Sequence, residues 1–123
     1  MTILEAIAKI DSVKPNSYTQ VNKVEWLSDL DGIVKTAIID THEGGEGIVF
    51  NGYDAETDTS TELLVPAPFE DIYIKWLEAK IDYYNAEYGK YNNSSVAYNA
   101  AFSEFERYYN RHHMPIQTNI KYF

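Results

Sequence analysis

FEDIYIKWLEAKIDYYNAEYG, residues 69–89, with Pro68 in front of it, is the stretch whose reading decides the fold. At helical spacing it carries one polar row, Asp71, Lys75, Glu78, Asp82, Asn85 and Gly89, stepping by four and three residues. Two further rows are mostly apolar: Phe69, Ile72, Trp76, Ala79, Tyr83 and Ala86 in one, Ile74, Leu77, Ile81, Tyr84 and Tyr88 in the other. About two thirds of the cylinder therefore asks for cover, more than a surface helix needs. The pattern predicts a helix over 69–89, the most buried of the chain, with neighbours on at least two sides, either from its own chain or from another copy.

Outward from this stretch the chain is helical on both sides. Thr2 and Glu5 form a capping-box pattern ahead of a narrow stripe of Ile3, Ile7, Ile10 and Val13, which Pro15 ends, so a first helix spans 2–13. Val24, Leu27, Leu30, Val34, Ala37 and Ile38 mark a second over 20–42, stopped by Gly44 and Gly45 just after His42. Gly32 interrupts that pattern without shifting its phase, which predicts close packing against another helix. A last helix is expected over 94–111, burying Tyr98, Ala101, Phe102, Phe105, Tyr108 and Tyr109. The expected core is Leu27, Leu30, Val34, Ile72, Trp76, Leu77, Ile81, Phe102 and Phe105.

Two segments break this regularity. Residues 43–68 hold two short β-prone runs, Ile48 to Phe50 and Leu63 to Val65, around the acidic connection DAETDTST, which suggests an irregular hairpin. A connection of that length usually serves a function or a partner, and Phe50, Tyr53, Leu63 and Leu64 are its candidate contacts to a neighbouring subunit. Pro115 blocks continuation of the last helix, so 114–123 reads as an extended arm whose Met114, Pro115, Ile116, Ile120, Tyr122 and Phe123 dock on another chain or fold back on their own. The chain is thus expected to be all-α: a small four-helix bundle over 1–113, with 43–68 inserted as a loop or hairpin, followed by the arm.

Composition narrows the function. Ten Lys and Arg against 19 Asp and Glu give a net charge of −9, which argues against a general nucleic-acid binder, because neutralising phosphates needs a basic face. With no cysteine there is neither a disulfide nor a thiolate ligand or nucleophile. No apolar run approaches the ~20 residues of a membrane span, and the N-terminus lacks signal-peptide character, so a soluble intracellular protein is expected. His42, His112 and His113 fall into no metal-ligand spacing, and Gly44, Gly45 and Gly47 lack the Lys and Ser or Thr of a phosphate loop. No catalytic constellation stands out, and neither an enzyme nor a cofactor is expected. Eleven tyrosines and two tryptophans are many for 123 residues, and such amphipathic aromatics are favoured where a surface is buried against a partner.

In TILEAIAKI (2–10), EWLSDLDGIVKTAIIDTHEG (25–44), LLVPAPFEDIYIKWLEAKIDYYNAEYGKYNNS (63–94) and NAAFSEFERYYNRHHMP (99–115), the chain resembles the head-tail connector, or adaptor, proteins of long-tailed bacteriophages and prophages. The resemblance covers most of the chain and rests on structural motifs, with no active-site signature. It departs from many connectors in the long 43–68 connection. It implies a helical protein that forms a homo-oligomeric ring beneath the portal protein, extends the DNA channel without binding DNA specifically, and receives a stopper or tail-completion protein on its other side. The implied location is the virion neck, with host cytoplasm during assembly and no membrane. The rival reading from another class is an acidic regulatory or inhibitor domain that binds a single protein partner.

Overall fold

In the computed structural model, which describes residues 1–116, the chain forms four α-helices: α1 Ile3–Val13, α2 Gln20–Ala37, α3 Asp71–Tyr84 and α4 Tyr88–His112. The capping box at the start of α1 is formed. Thr2 Oγ1 accepts from the Glu5 amide at 3.1 Å, and the Glu5 carboxylate accepts from the Thr2 amide at 2.8 Å. The next two free amides of the helix, those of Ile3 and Leu4, donate to the carbonyls of Thr61 and Thr59 at 3.1 and 3.0 Å. The long connection thereby closes the N-terminus of α1, and the Ile3, Ala6, Ile7 and Ile10 side chains pass into the core.

The second helix is shorter than its periodicity suggests. Thr19 caps it, Val24, Trp26, Leu27, Leu30 and Val34 are buried, and it ends at Ala37 instead of reaching 42. Beyond it the backbone tightens into short 3₁₀ turns at Ile39–Thr41 and Gly45–Gly47. The chain doubles back so closely that a Cβ on Gly45 would stand 2.2 Å from the Ile39 carbonyl oxygen, which only glycine avoids. At Gly32 no helix approaches, contrary to expectation. The nearest group is the Phe50 ring, 3.8 Å from where a Cβ would stand, and α2 runs through unbroken.

The deciding stretch is divided differently from its reading. Instead of one helix over 69–89 and another from 94, α3 stops at Tyr84, Ala86 turns with a left-handed φ of 59°, and α4 begins at Tyr88. Tertiary contacts set this boundary. Tyr18 Oη donates to Asn85 Oδ1 at 2.7 Å, and the Tyr83 ring meets those of Tyr88 and Tyr91 across the turn. Helix α3 packs on α1 and α2 and most extensively on α4, while α4 rests almost wholly on α3.

Of the expected core, Leu27, Leu30, Val34, Ile72, Leu77, Ile81 and Phe105 are buried, whereas Trp76 and Phe102 lie half-buried at its edge. Trp76 sits there because its indole N–H donates to the Trp26 carbonyl at 2.7 Å while the Lys80 ammonium stands 4.6 Å above its ring. The polar row needs a correction as well. Asp82 is buried, its carboxylate 2.7 Å from Lys14 Nζ, so that row is not a continuous solvated face.

The 43–68 connection forms no hairpin. Only isolated antiparallel bridges occur among the described residues, Thr2 with Glu62 and His42 with Pro115. Leu63 and Val65 enter the core, and Tyr53 and Leu64 pack partly buried against it. Leu63 is therefore unavailable to a neighbouring subunit, while Ile48, Val49 and most of residues 54–61 stay exposed. The connection's backbone amides and carbonyls find partners on α1 and α2, and that draws Leu63 and Val65 inward.

Candidate functional site

Asp31 gathers the long connection onto the helices. It follows Leu30 on the buried side of α2, one turn before Val34, and is itself fully buried. Its Oδ1 accepts from the Tyr73 hydroxyl at 2.6 Å, and its Oδ2 from the Tyr53 hydroxyl at 2.5 Å and the Leu64 amide at 3.0 Å. The Tyr73 hydroxyl in turn accepts from the Val65 amide at 2.7 Å. No cation joins this group among the described residues. Burial pushes the Asp31 carboxyl above the ordinary carboxylate range, and the three donors pull it back only in part. Both tyrosines are raised, chiefly by burial and then by the neighbouring carboxylate, so they stay protonated and keep donating. With both donors fixed on α3 and the connection, the arrangement tethers a loop.

A second polar junction closes the far end of α2. His42, read as a last-turn helix residue, is buried, with Nδ1 2.6 Å from the Ile38 carbonyl and Nε2 2.7 Å from Asn110 Oδ1 of α4. Tyr109 meets its ring edge-on at 4.8 Å. The C-terminal arm starts from the same place. The Glu43 amide donates to the Met114 carbonyl at 2.8 Å and the Ile116 amide to the Thr41 carbonyl at 2.9 Å. The arm residues Met114, Pro115 and Ile116 thus lie along their own chain through the backbone, with the Met114 and Ile116 side chains exposed. Ile120, Tyr122 and Phe123, the apolar tip expected to dock, fall outside the described residues.

The outer surface of the α3–α4 pair is of another kind. Helix α4 is 25 residues long, yet only Ser94, Phe105 and Tyr109 of it are buried. Phe69 fills the space against Phe105 and Tyr108, and Trp76 packs on Tyr98, whose hydroxyl burial pushes up to about 12. Beyond these contacts Tyr83, Tyr84, Tyr88 and Val96 stay about half exposed or more. A shallow groove lined by Trp76, Lys80, Tyr83, Tyr91 and Tyr98 runs between the two helices.

Among the described residues no three His, Asp or Glu side chains cluster as a metal site would need, and no helix is long and apolar enough to cross a membrane. Periodicity alone missed Asp31, Tyr73 and His42. The first two carried a signal, since Asp31 stands one turn from both Leu27 and Val34, and Tyr73 stands one turn before Leu77. His42 carried none, because its burial depends on Asn110, far along the chain. No protein-family model, curated protein or solved structure matches the chain. Fold and surface together define a four-helix, all-α protein with one internally satisfied side and one side of exposed aromatic and small residues.

Proposed function

We propose that the protein is a head-tail connector, a structural component that assembles as a ring beneath a phage portal protein, extends the DNA channel and receives a stopper or tail-completion protein. One observation carries the reading: the longest helix, α4, buries only three of its residues. Its outward side leaves Tyr88 and Val96 exposed, surface that a neighbouring copy in a ring would cover on every subunit. The surplus of aromatic surface on α3 and α4 supports the same reading, since Tyr and Trp contribute large contact area at small ordering cost. The charge of −9 suits a channel wall along which DNA slides, because acidic side chains oppose sticking to phosphates.

The experiment is co-assembly. Mixed with a phage portal protein, the chain is expected to form a particle whose mass, by light scattering, equals the portal plus a ring of copies, and which electron microscopy images as an added tier. A chain that never associates with portal, and instead binds one unrelated protein in a one-to-one complex, would replace the connector by an acidic regulatory domain.

A further inference from the structure

The chain has only two arginines, Arg107 and Arg111, and both stand exposed one turn apart on the outward side of α4, in line with Val96. In a molecule of net charge −9 they form a cationic pair, with the exposed Glu104 one turn before Arg107 as the acid on that side. Glu104 turns toward the groove beside Phe69 and Lys75, and Glu106 is half-buried on the other flank. On the outward side of α2 the pattern is inverted. Glu25 and Asp29 are exposed one turn apart, followed by Ile33 at 41% exposure. None of these four charged side chains makes an ion pair among the described residues.

We infer that the α4 row of Arg107 and Arg111 docks on the α2 row of Glu25 and Asp29 of a second copy of this chain. The inference rests on the connector reading and names the surface by which its ring would close. Charge selects the occupant. Two α4 rows face to face would oppose arginine to arginine, and two α2 rows would oppose acid to acid, so both symmetric dimers are disfavoured and the mixed contact is favoured. The one-turn spacing is the same on both helices, which lets two pairs form in one register. Each row lies opposite the buried side of its own helix, so the two cannot meet within one chain. Every copy therefore offers one of each, and a head-to-tail contact of this kind repeats until it closes into a ring. Exposed ion pairs add little affinity, so they set partner and register, while Ile33, one turn beyond Asp29, supplies apolar contact beside them.

The test is a charge swap on the full-length chain, read by mass photometry and sedimentation over a range of concentration at low salt. All four side chains are exposed, so Arg107→Glu with Arg111→Glu, and separately Glu25→Arg with Asp29→Arg, should keep the wild-type thermal midpoint. Each pair alone is expected to weaken self-association at least about tenfold, and the four substitutions together to restore it. Self-association that neither pair disturbs, or that the fourfold variant fails to restore, overturns this contact and leaves the connector reading standing. A wild-type chain that stays monomeric at every concentration, alone and with portal, overturns both. Self-association that behaves as expected in a chain that ignores portal keeps the contact and removes the connector reading.

Discussion

The face of the molecule built around Asp31 and the outward face of α4 solve opposite problems. On the first, a loop of more than 20 residues is held by buried hydrogen bonds, Tyr53, Tyr73 and Leu64 all converging on one carboxylate. On the second, a 25-residue helix packs mainly on α3, meets His42 through Asn110 and Tyr109, and leaves the side of Val96, Arg107 and Arg111 exposed. The difference teaches where length signals a partner. The long loop sends Leu63 and Val65 into the core while most of its other residues stay exposed, and the helix that looked like ordinary core keeps only three side chains fully buried.

The sharpest way to break this comparison is to cut on both sides of α4. Phe105 is buried, so Phe105→Ala should cost about 3–5 kcal/mol in urea unfolding of the monomer. Val96→Ala, on the bare side, should stay within about 0.5 kcal/mol. Equal costs would mean that α4 is covered on both sides. Next in size is the tether. Asp31→Ala strips the acceptor from two hydroxyls and an amide, and should cost about 3 kcal/mol.

Its pH dependence has a definite sign. The folded state holds the Asp31 proton more tightly than the unfolded state, so the group's stabilising contribution is complete below the unfolded value of about 4 and is lost as pH rises through the raised folded value. The stability of the wild type relative to Asp31→Asn should therefore fall as pH climbs from about 4, in unfolding curves collected at a series of pH values. A difference that grows with pH would mean that the three donors outweigh burial.

The smallest effect concerns the turn that joins the two regions. Ala86 holds a left-handed φ of 59°, a conformation that costs a residue with a Cβ roughly 1 kcal/mol. Ala86→Gly should raise the thermal midpoint by a few degrees. A lowered midpoint would show that the loss of chain stiffness on adding glycine outweighs the relief of the turn.

The helices were legible because their apolar residues recur at helical period, and the cap of α1 because Thr2 and Glu5 satisfy it locally. The α3–α4 boundary was not, since Gly89 is the obvious stop and the actual turn is held by Tyr18 on Asn85 and by Tyr83 on Tyr91. Asp82 and Asp31 illustrate the two ways a buried acid hides in a pattern. Asp82 completed a regular polar row yet is covered by Lys14 from α1. Asp31, between Leu30 and Gly32, stands out of the apolar stripe of α2 by residue type alone, yet it is the residue to which the connection is tied. The outward row of α4 was invisible for a plainer reason: Val96, Arg107 and Arg111 are unremarkable singly, and only the folded surface shows that they share one exposed side of the helix.

The start of α1 has a consequence for how the chain comes together during synthesis. Its local cap forms at once, but the amides of Ile3 and Leu4 wait for the carbonyls of Thr61 and Thr59, and its apolar side is covered by α2 and α3 together. While the polypeptide emerges from N to C, this early segment can do no more than flicker between helix and coil, since a helix of 11 residues is marginal alone. It consolidates once α2 and the connection lie against it, a closure between segments more than 50 residues apart of the kind that slows folding.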